Sequence, residues 1–252
     1  MSSHRFFVSK SGFDGNQVRL EPDQAHQVCH VLRLKAGAGV VVLDGAGYEY
    51  DVTLTTVSKR EVLGQITDKR PALGESKVQI TLFQSLLSRE KFEWVLQKGT
   101  EVGVCRFVPV ATARSIVRAK QIDEKKLTRW RKIVTEAAEQ SHRGRIPEIV
   151  PPVDWSQAVG HLDRVDQALL AVPGPESGSL REALNRPDEA PKSVAILIGP
   201  EGGFTAEEVD AASRQGATRI SLGRRILRTE TAGTTLAVLV LYELGQLEPG
   251  KE

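Results

Sequence analysis

The chain carries little sulfur: one methionine and two cysteines in 252 residues. Cys29 and Cys105 have no partners at metal-ligand spacing, so no metal site is expected. A disulfide is a poor fit to the cytosol, and both cysteines are expected to be buried structural residues. Long apolar runs are also missing. The longest, Leu236–Tyr242, falls far short of the ~20 residues a membrane helix needs. The opening Met-Ser-Ser-His-Arg-Phe-Phe lacks the apolar core of a signal peptide. A cytoplasmic protein without membrane contact is the expectation. Two nucleotide-binding signatures are absent too. There is no Gly-x-Gly-x-x-Gly followed about 20 positions later by an acidic residue. No glycine-rich turn ends in Gly-Lys-Ser/Thr. NAD or ATP held in the usual way is therefore disfavoured.

What is present is ordinary globular composition, with 40% hydrophobic and 26% charged residues. The length allows one large domain or two modest ones. The net charge of +2 conceals a segregation. Residues 1–75 carry nine basic and nine acidic side chains, residues 76–146 carry 15 and seven, and residues 147–252 carry ten and 16. A basic middle third suits a polyanion such as a nucleic acid. It equally suits a set of solvated helix faces.

Residues 1–70 read mostly as β. Arg5–Val8, Val40–Leu43, Tyr48–Val57 and Val62–Ile66 are strand-like, with Asp44-Gly45-Ala46-Gly47 as a hairpin turn. Gln24–Val31 is a short helical patch ending near Leu34, and Pro71–Gly74 looks like a linker. From Val78 the texture changes. Val78–Phe83, Phe107–Ala111, Ala168–Val172, Val194–Ile198 and Arg219–Leu222 read as strands. Lys91–Val102, Lys125–Ser141, Thr205–Gln215 and Thr231–Leu247 read as helices. Trp130, Ile133, Val134 and Ala137 share one helix face. Thr205 and Glu208 form a capping box, and Gly216 stops that helix. Alternating strands and helices predict an α/β fold, a parallel sheet covered on both faces.

Two stretches carry chemical promise. Ile198-Gly-Pro-Glu-Gly-Gly203 lies between a buried strand and a helix start, where glycine lets backbone approach a ligand closely. Leu222-Gly-Arg-Arg-Ile-Leu-Arg-Thr-Glu-Thr-Ala-Gly233 again joins a strand to a helix. Its Ile226-Leu227 pair is expected to pack inward, and Thr229 or Thr231 to cap the last helix.

Together these stretches resemble the cofactor loops of SPOUT-class RNA methyltransferases, and the chain is most similar to the ribosomal RNA small subunit methyltransferase E family. His4-Arg5-Phe6-Phe7 and His26-x3-His30-Val-Leu-Arg33 are similar to that family's N-terminal PUA-like domain. Lys91-Phe-Glu-Trp-Val-Leu-Gln-Lys98-x-Thr-Glu101-x-Gly103 resembles its first catalytic-domain helix. Glu136-Ala-Ala-Glu-Gln140-Ser-x-Arg143, with Pro147 after it, matches another segment. The resemblance covers nearly the whole chain.

It implies a small PUA-like β-barrel RNA-binding domain over 1–72 and a SPOUT methyltransferase domain with a trefoil knot over 73–252. It implies S-adenosylmethionine as cofactor, held by three loops. The residues carried over are Ala171, Val172 and Pro173 on the first; Leu197, Ile198, Gly199, Pro200, Gly202 and Gly203 on the second; and Leu222, Gly223, Ile226, Leu227, Arg228, Thr231 and Ala232 on the third. The implied reaction methylates N3 of a uridine in 16S rRNA, free or within the small ribosomal subunit. Arg228 is the candidate for stabilising charge on the uracil. Glu201 or Glu230 would accept the proton or orient that arginine; a structural Glu201–Arg228 ion pair is the plainer alternative. RNA contacts are expected from Arg5, Arg33 and Lys35, and from Lys91, Lys98, Arg114, Arg118 and Arg143. His26 and His30 share a helix face, which favours packing or RNA contact over metal binding. A homodimer is implied, with the last helix as a possible interface. A non-catalytic ribosome-assembly factor and a SPOUT enzyme acting on another RNA are the competing readings.

Overall fold

The computed structural model describes residues 4–185 and 190–248. They fall into two units. The first runs to Glu75 and also takes in Ala138–Ile146; the second comprises Ser76–Ala137 and the chain from Pro147 onward.

The first unit is built on a six-stranded sheet. Its strands are β1 (Arg5–Phe7), β2 (Phe13–Asp14), β3 (Gln17–Arg19), β4 (Gly39–Leu43), β5 (Tyr48–Val57) and β6 (Val62–Pro71), in the order β1-β4-β5-β6-β3-β2. Only β1 and β4 run parallel. Asp44 makes the β4–β5 turn: its Oδ1 accepts from the N–H groups of Ala46 (2.8 Å) and Tyr48 (3.1 Å). Strand β6 continues five residues beyond the expected end at Ile66, because Asp68–Pro71 keep pairing with β5 past a register shift. Phe6, Val18, Val28, Val40, Val42, Val52, Leu54 and Val62 form the core. The helical patch is α1 (Pro22–His26), opened by a Glu21/Gln24 capping box and continued as a wider π turn over Gln27–Val31. Arg33 then takes φ 52°, which ends the helical path.

The second unit holds a seven-stranded parallel sheet. Its elements are β7 (Gln79–Ser85), α2 (Arg89–Glu101), β8 (Val104–Ala111), α3 (Glu124–Gln140), β9 (Glu148–Ile149), β10 (Val153–Asp154), α4 (Trp155–Val159), β11 (Gln167–Ala171), α5 (Leu180–Leu184), β12 (Ser193–Ile198), α6 (Ala206–Arg214), β13 (Thr218–Ile220) and α7 (Thr229–Glu243). The strand order is β10-β8-β7-β12-β11-β13, with β9 paired to β8. Side-chain alternation explains the two covered faces. Along β12, Val194, Ile196 and Ile198 join the cluster formed with Phe92, Trp130, Val134, Leu236 and Val240. Ala195 and Leu197 point the other way, to Ala158, Val159, Val209 and Ala212. Each wholly enclosed Leu or Ile contributes roughly 1.5–3 kcal/mol by leaving water.

Three local expectations change. Neither cysteine is in a disulfide, and both are only half-buried: Cys29 Sγ donates to the Ser58 carbonyl at 3.3 Å, and Cys105 Sγ to the Gly103 carbonyl at 3.5 Å. The last helix begins at Thr229, with Arg228 at its N-cap and no side-chain cap, because the Thr229 hydroxyl is used elsewhere. Ile226 is not packed inward; it is 81% exposed near the middle of its loop. Among the described residues no helix is long and apolar enough to cross a membrane.

Candidate active site

Parallel pairing decides where the site lies. Ala171 ends β11, and it stands beside Ile198, the end of β12, and Ile220, the end of β13. Three loops therefore leave the sheet side by side, at the carboxyl edge where open α/β sheets bind ligands. They enclose a cavity of about 690 Å³. Its walls are 171–173, 198–204, 220–223 and 225–230, with Ala232 and Lys91.

Each loop is held by specific bonds. The Gly203 N–H donates to the Pro200 carbonyl at 2.9 Å, closing the glycine turn, and Gly203 sits at φ 68°. A Cβ at Gly199 would stand 3.2 Å from the Phe204 ring, so the bare glycine lets that ring close over the turn. Arg114 braces the turn by donating to the carbonyls of Gly202 (2.9 Å) and Phe204 (3.2 Å). The α6 capping box is present: Glu208 N–H donates to the Thr205 hydroxyl at 3.2 Å and Thr205 N–H to Glu208 Oε2 at 2.9 Å. Thr229 ties the third loop to the second. Its buried hydroxyl donates to the Gly199 carbonyl and accepts from Gln84 Nε2 at 3.2 Å.

Five charged side chains stand at the cavity: Lys91, Glu201, Arg225, Arg228 and Glu230. Lys91 Nζ donates to Glu201 Oε1 at 2.8 Å. That bond holds the Glu201 carboxyl below its ordinary range and lifts the Lys91 ammonium above its own. Glu201 thus pairs with Lys91 rather than with Arg228. Arg228 is 81% exposed and lies 4.0 Å from Glu230, which is only 15% exposed. Glu230 Oε2 is buried and has no hydrogen-bond partner, as is Gln84 Oε1.

The cavity gathers most of the residues expected there. Leu197 and Thr231 do not line it. Leu197 faces the opposite core because alternation sends it away from Ile198. Thr231 is in the first turn of α7, its N–H donating to the Arg228 carbonyl and its own carbonyl accepting from Thr234. Phe204, Ile220, Ser221, Arg225, Thr229 and Lys91 join the wall without having been singled out as cofactor contacts. A signal existed for most of them, since they border the loops in sequence. Lys91 comes from a distant helix, and no local pattern marks it.

Several arginines and lysines expected to meet RNA are otherwise engaged. The Arg5 guanidinium is enclosed, 9% exposed, and pairs with Glu49. Arg143 is 3% exposed and forks onto Glu75 at 2.9 and 2.8 Å. Both are corrected to structural ion pairs, since a buried guanidinium needs a carboxylate. Lys91 belongs to the cavity, Lys98 pairs with Glu101 at 2.8 Å, and Arg114 braces the glycine turn. Arg33, Lys35 and Arg118 remain exposed. His26 and His30 stack with ring centroids 4.6 Å apart. Among the described residues no cluster of His, Cys, Asp or Glu could hold a metal.

Comparison with known proteins agrees with this geometry. An RNA methyltransferase domain family matches residues 74–241, and an RNA methyltransferase PUA domain family matches residues 20–67. Ribosomal RNA small subunit methyltransferase E of Bacillus subtilis is 32% identical over 225 residues, 88% of each chain. A methyltransferase structure from Legionella pneumophila with bound S-adenosylmethionine is 32% identical, with TM-score 0.86 over 96% of this chain and 98% of that one. The Neisseria gonorrhoeae ribosomal RNA small subunit methyltransferase E, bound to S-adenosylmethionine, is 30% identical, with TM-score 0.84 over the same shares. The chain belongs to the ribosomal RNA small subunit methyltransferase E family of enzymes.

Proposed function

We propose that this enzyme transfers a methyl group from S-adenosylmethionine to N3 of a uridine in 16S rRNA. One observation carries the reading: the three loops expected from the sequence converge on one cavity that also holds Lys91, Glu201, Arg228 and Glu230. The donor set suits the cofactor. S-adenosylmethionine combines a sulfonium, an ammonium and a carboxylate with an adenine edge. Carboxylates, Arg225 and open backbone at Gly203 and Gly223 can answer each of these. Bound there, it supplies a methyl group on positive sulfur, which becomes a neutral thioether once the methyl has left.

The chain's own residues then have two tasks. The first is to hold the uracil in line with that methyl carbon. The second is to take the N3 proton, since N3 must give it up to form the new C–N bond. Glu230 fits the second task better than Glu201. Glu201 is committed to Lys91, which keeps its carboxyl poorly basic. Glu230 keeps one buried oxygen without a partner. Arg228, free in solvent beside Glu230, can swing onto a uracil oxygen where charge gathers as the proton leaves. Lys91 is a second cation at the same wall.

The division into an RNA-binding domain over 1–72 and a catalytic domain over 73–252 is part of this proposal. So are the trefoil knot through the Leu222–Ala232 loop, a homodimer, and action in the cytoplasm on free rRNA or the small subunit. Isothermal titration with S-adenosylmethionine tests the cofactor site. A one-to-one micromolar complex is expected; no heat at millimolar cofactor overturns the reading.

A further inference from the structure

The first unit holds a pocket of its own that the methyl-transfer reaction does not use. It has a volume of about 410 Å³, within the range of ligand sites at roughly 300–1,000 Å³. Phe13, Tyr50 and Ile66 form its apolar wall, and Lys10, Lys69, Asn16 and the Asp44 carboxylate its polar rim.

The rings are fixed in advance. Phe13 and Tyr50 pack with centroids 5.1 Å apart. The Tyr50 hydroxyl donates to Asp44 Oδ2 at 3.2 Å. Asp44 also accepts from two backbone N–H groups, so its charge is spread over three donors. Lys69 faces Tyr50 across the β5–β6 ladder, and its ammonium lies 4.4 Å from the Tyr48 centroid and 5.4 Å from that of Tyr50. Among the described residues neither Lys10 nor Lys69 has an ion pair, unlike nearby Arg5 and Arg70, which are bound to Glu49 and Asp51. The Asn16 carbonyl is occupied by Ile66 N–H and Gln65 Nε2, but among the described residues its side-chain amide has no hydrogen-bond partner. Gly15, at φ 56°, leaves the mouth open: a Cβ there would meet nothing within 4 Å.

Aromatic faces, an amide and ammonium groups without ion pairs in one small pocket are the means by which proteins hold an unpaired nucleotide. We propose that this pocket takes one unpaired nucleotide of the RNA substrate. Its base lies against Phe13 and Tyr50, the Asn16 amide meets a base edge, and Lys10 and Lys69 meet the flanking phosphates. The proposal rests on the rRNA reading above for its choice of RNA over a free nucleotide. Rings already held in place lose little freedom on binding, which favours affinity.

The test uses the full-length enzyme with an unstructured RNA octamer containing 4-thiouridine, and with uridine monophosphate as competitor. Phe13→Leu, which removes an aromatic face but keeps apolar bulk, is expected to weaken octamer binding about tenfold. Lys69→Ala should lower the slope of log affinity against log salt by about 0.7. Crosslinks should map to the peptides bearing Phe13 or Tyr50. S-adenosylmethionine affinity and thermal midpoint of both variants should match the parent, which separates this outcome from misfolding and from failure of the methyl-transfer reading. Wild-type RNA binding by both variants, with crosslinks elsewhere, overturns the proposal. Uridine monophosphate binding as tightly as the octamer overturns the assignment to RNA.

Discussion

Lys91 Nζ meets Glu201 Oε1 at 2.8 Å although 110 residues separate them. The pair joins the first turn of α2 to the glycine turn after β12, so a cation that looks like a phosphate contact instead helps shape the cavity. Lys91→Met should lower kcat/KM at least tenfold, with Lys91→Arg recovering part of it, because a charge-assisted bond that orients the loop is lost. The salt slope of RNA binding should not change in Lys91→Met. A slope lowered by about 0.7 would return Lys91 to the phosphate-binding residues.

The same pair gives a pH signature. Glu201 is held below the ordinary carboxylate range, so its contribution is complete at neutral pH and is lost only as pH falls through that lowered value. In Lys91→Met the downward pull of the Lys91 hydrogen bond is gone, so Glu201 should titrate at higher pH than in the parent. Cofactor affinity measured by titration calorimetry should therefore be flat from neutral pH into mild acid in the parent and begin to change at higher pH in the variant. Identical acid limbs would show that the bond does not hold Glu201 ionised.

Glu230 and Arg228 divide the chemistry in the proposed mechanism. Glu230→Gln keeps the shape and removes the base, so single-turnover rate should fall about a hundredfold or more. Arg228→Ala should lose turnover while retaining S-adenosylmethionine affinity. Raising the pH should partly restore Glu230→Gln, because uridine N3 then ionises without help. A wild-type rate in Glu230→Gln removes it as the proton acceptor.

Thr229 links two loops through one hydroxyl. Thr229→Val keeps the volume but leaves the Gly199 carbonyl and the Gln84 amide without their buried partner. The expected cost is about 1–3 kcal/mol in urea unfolding, with weaker cofactor binding. Thr229→Ser should recover both. Unchanged stability in the valine variant would mean that the loops do not depend on this bond.

Much of this was readable from residue order because the governing interactions are local or periodic. The unbroken apolar run Val194–Ile198 marks a strand buried on both faces, and Thr205 with Glu208 marks a helix start; both depend on neighbours in sequence. The glycine turn and the arginine-bearing loop were legible for the same reason. Arg5 and Arg143 were not, because a basic residue in sequence does not disclose a carboxylate partner. Arg143 finds Glu75 68 residues away, and Arg5 finds Glu49 44 residues away. Short strands such as Phe13–Asp14 and Val153–Asp154 were missed because two residues carry no period to detect. The reach of Lys91 into the cavity follows from how α2 packs against α7 and β8, which no window of sequence contains.

The central claim is the identity of the methylated atom. Small ribosomal subunits from cells lacking this gene can be incubated with purified enzyme and methyl-labelled S-adenosylmethionine. The rRNA is then digested and its nucleosides separated by mass spectrometry. Primer extension on the same rRNA maps the position, since a methyl on N3 blocks base pairing. The account predicts label in N3-methyluridine alone, at one extension stop in 16S rRNA. Label on a ribose hydroxyl or on another base, or no label from an enzyme that binds the cofactor, would contradict it.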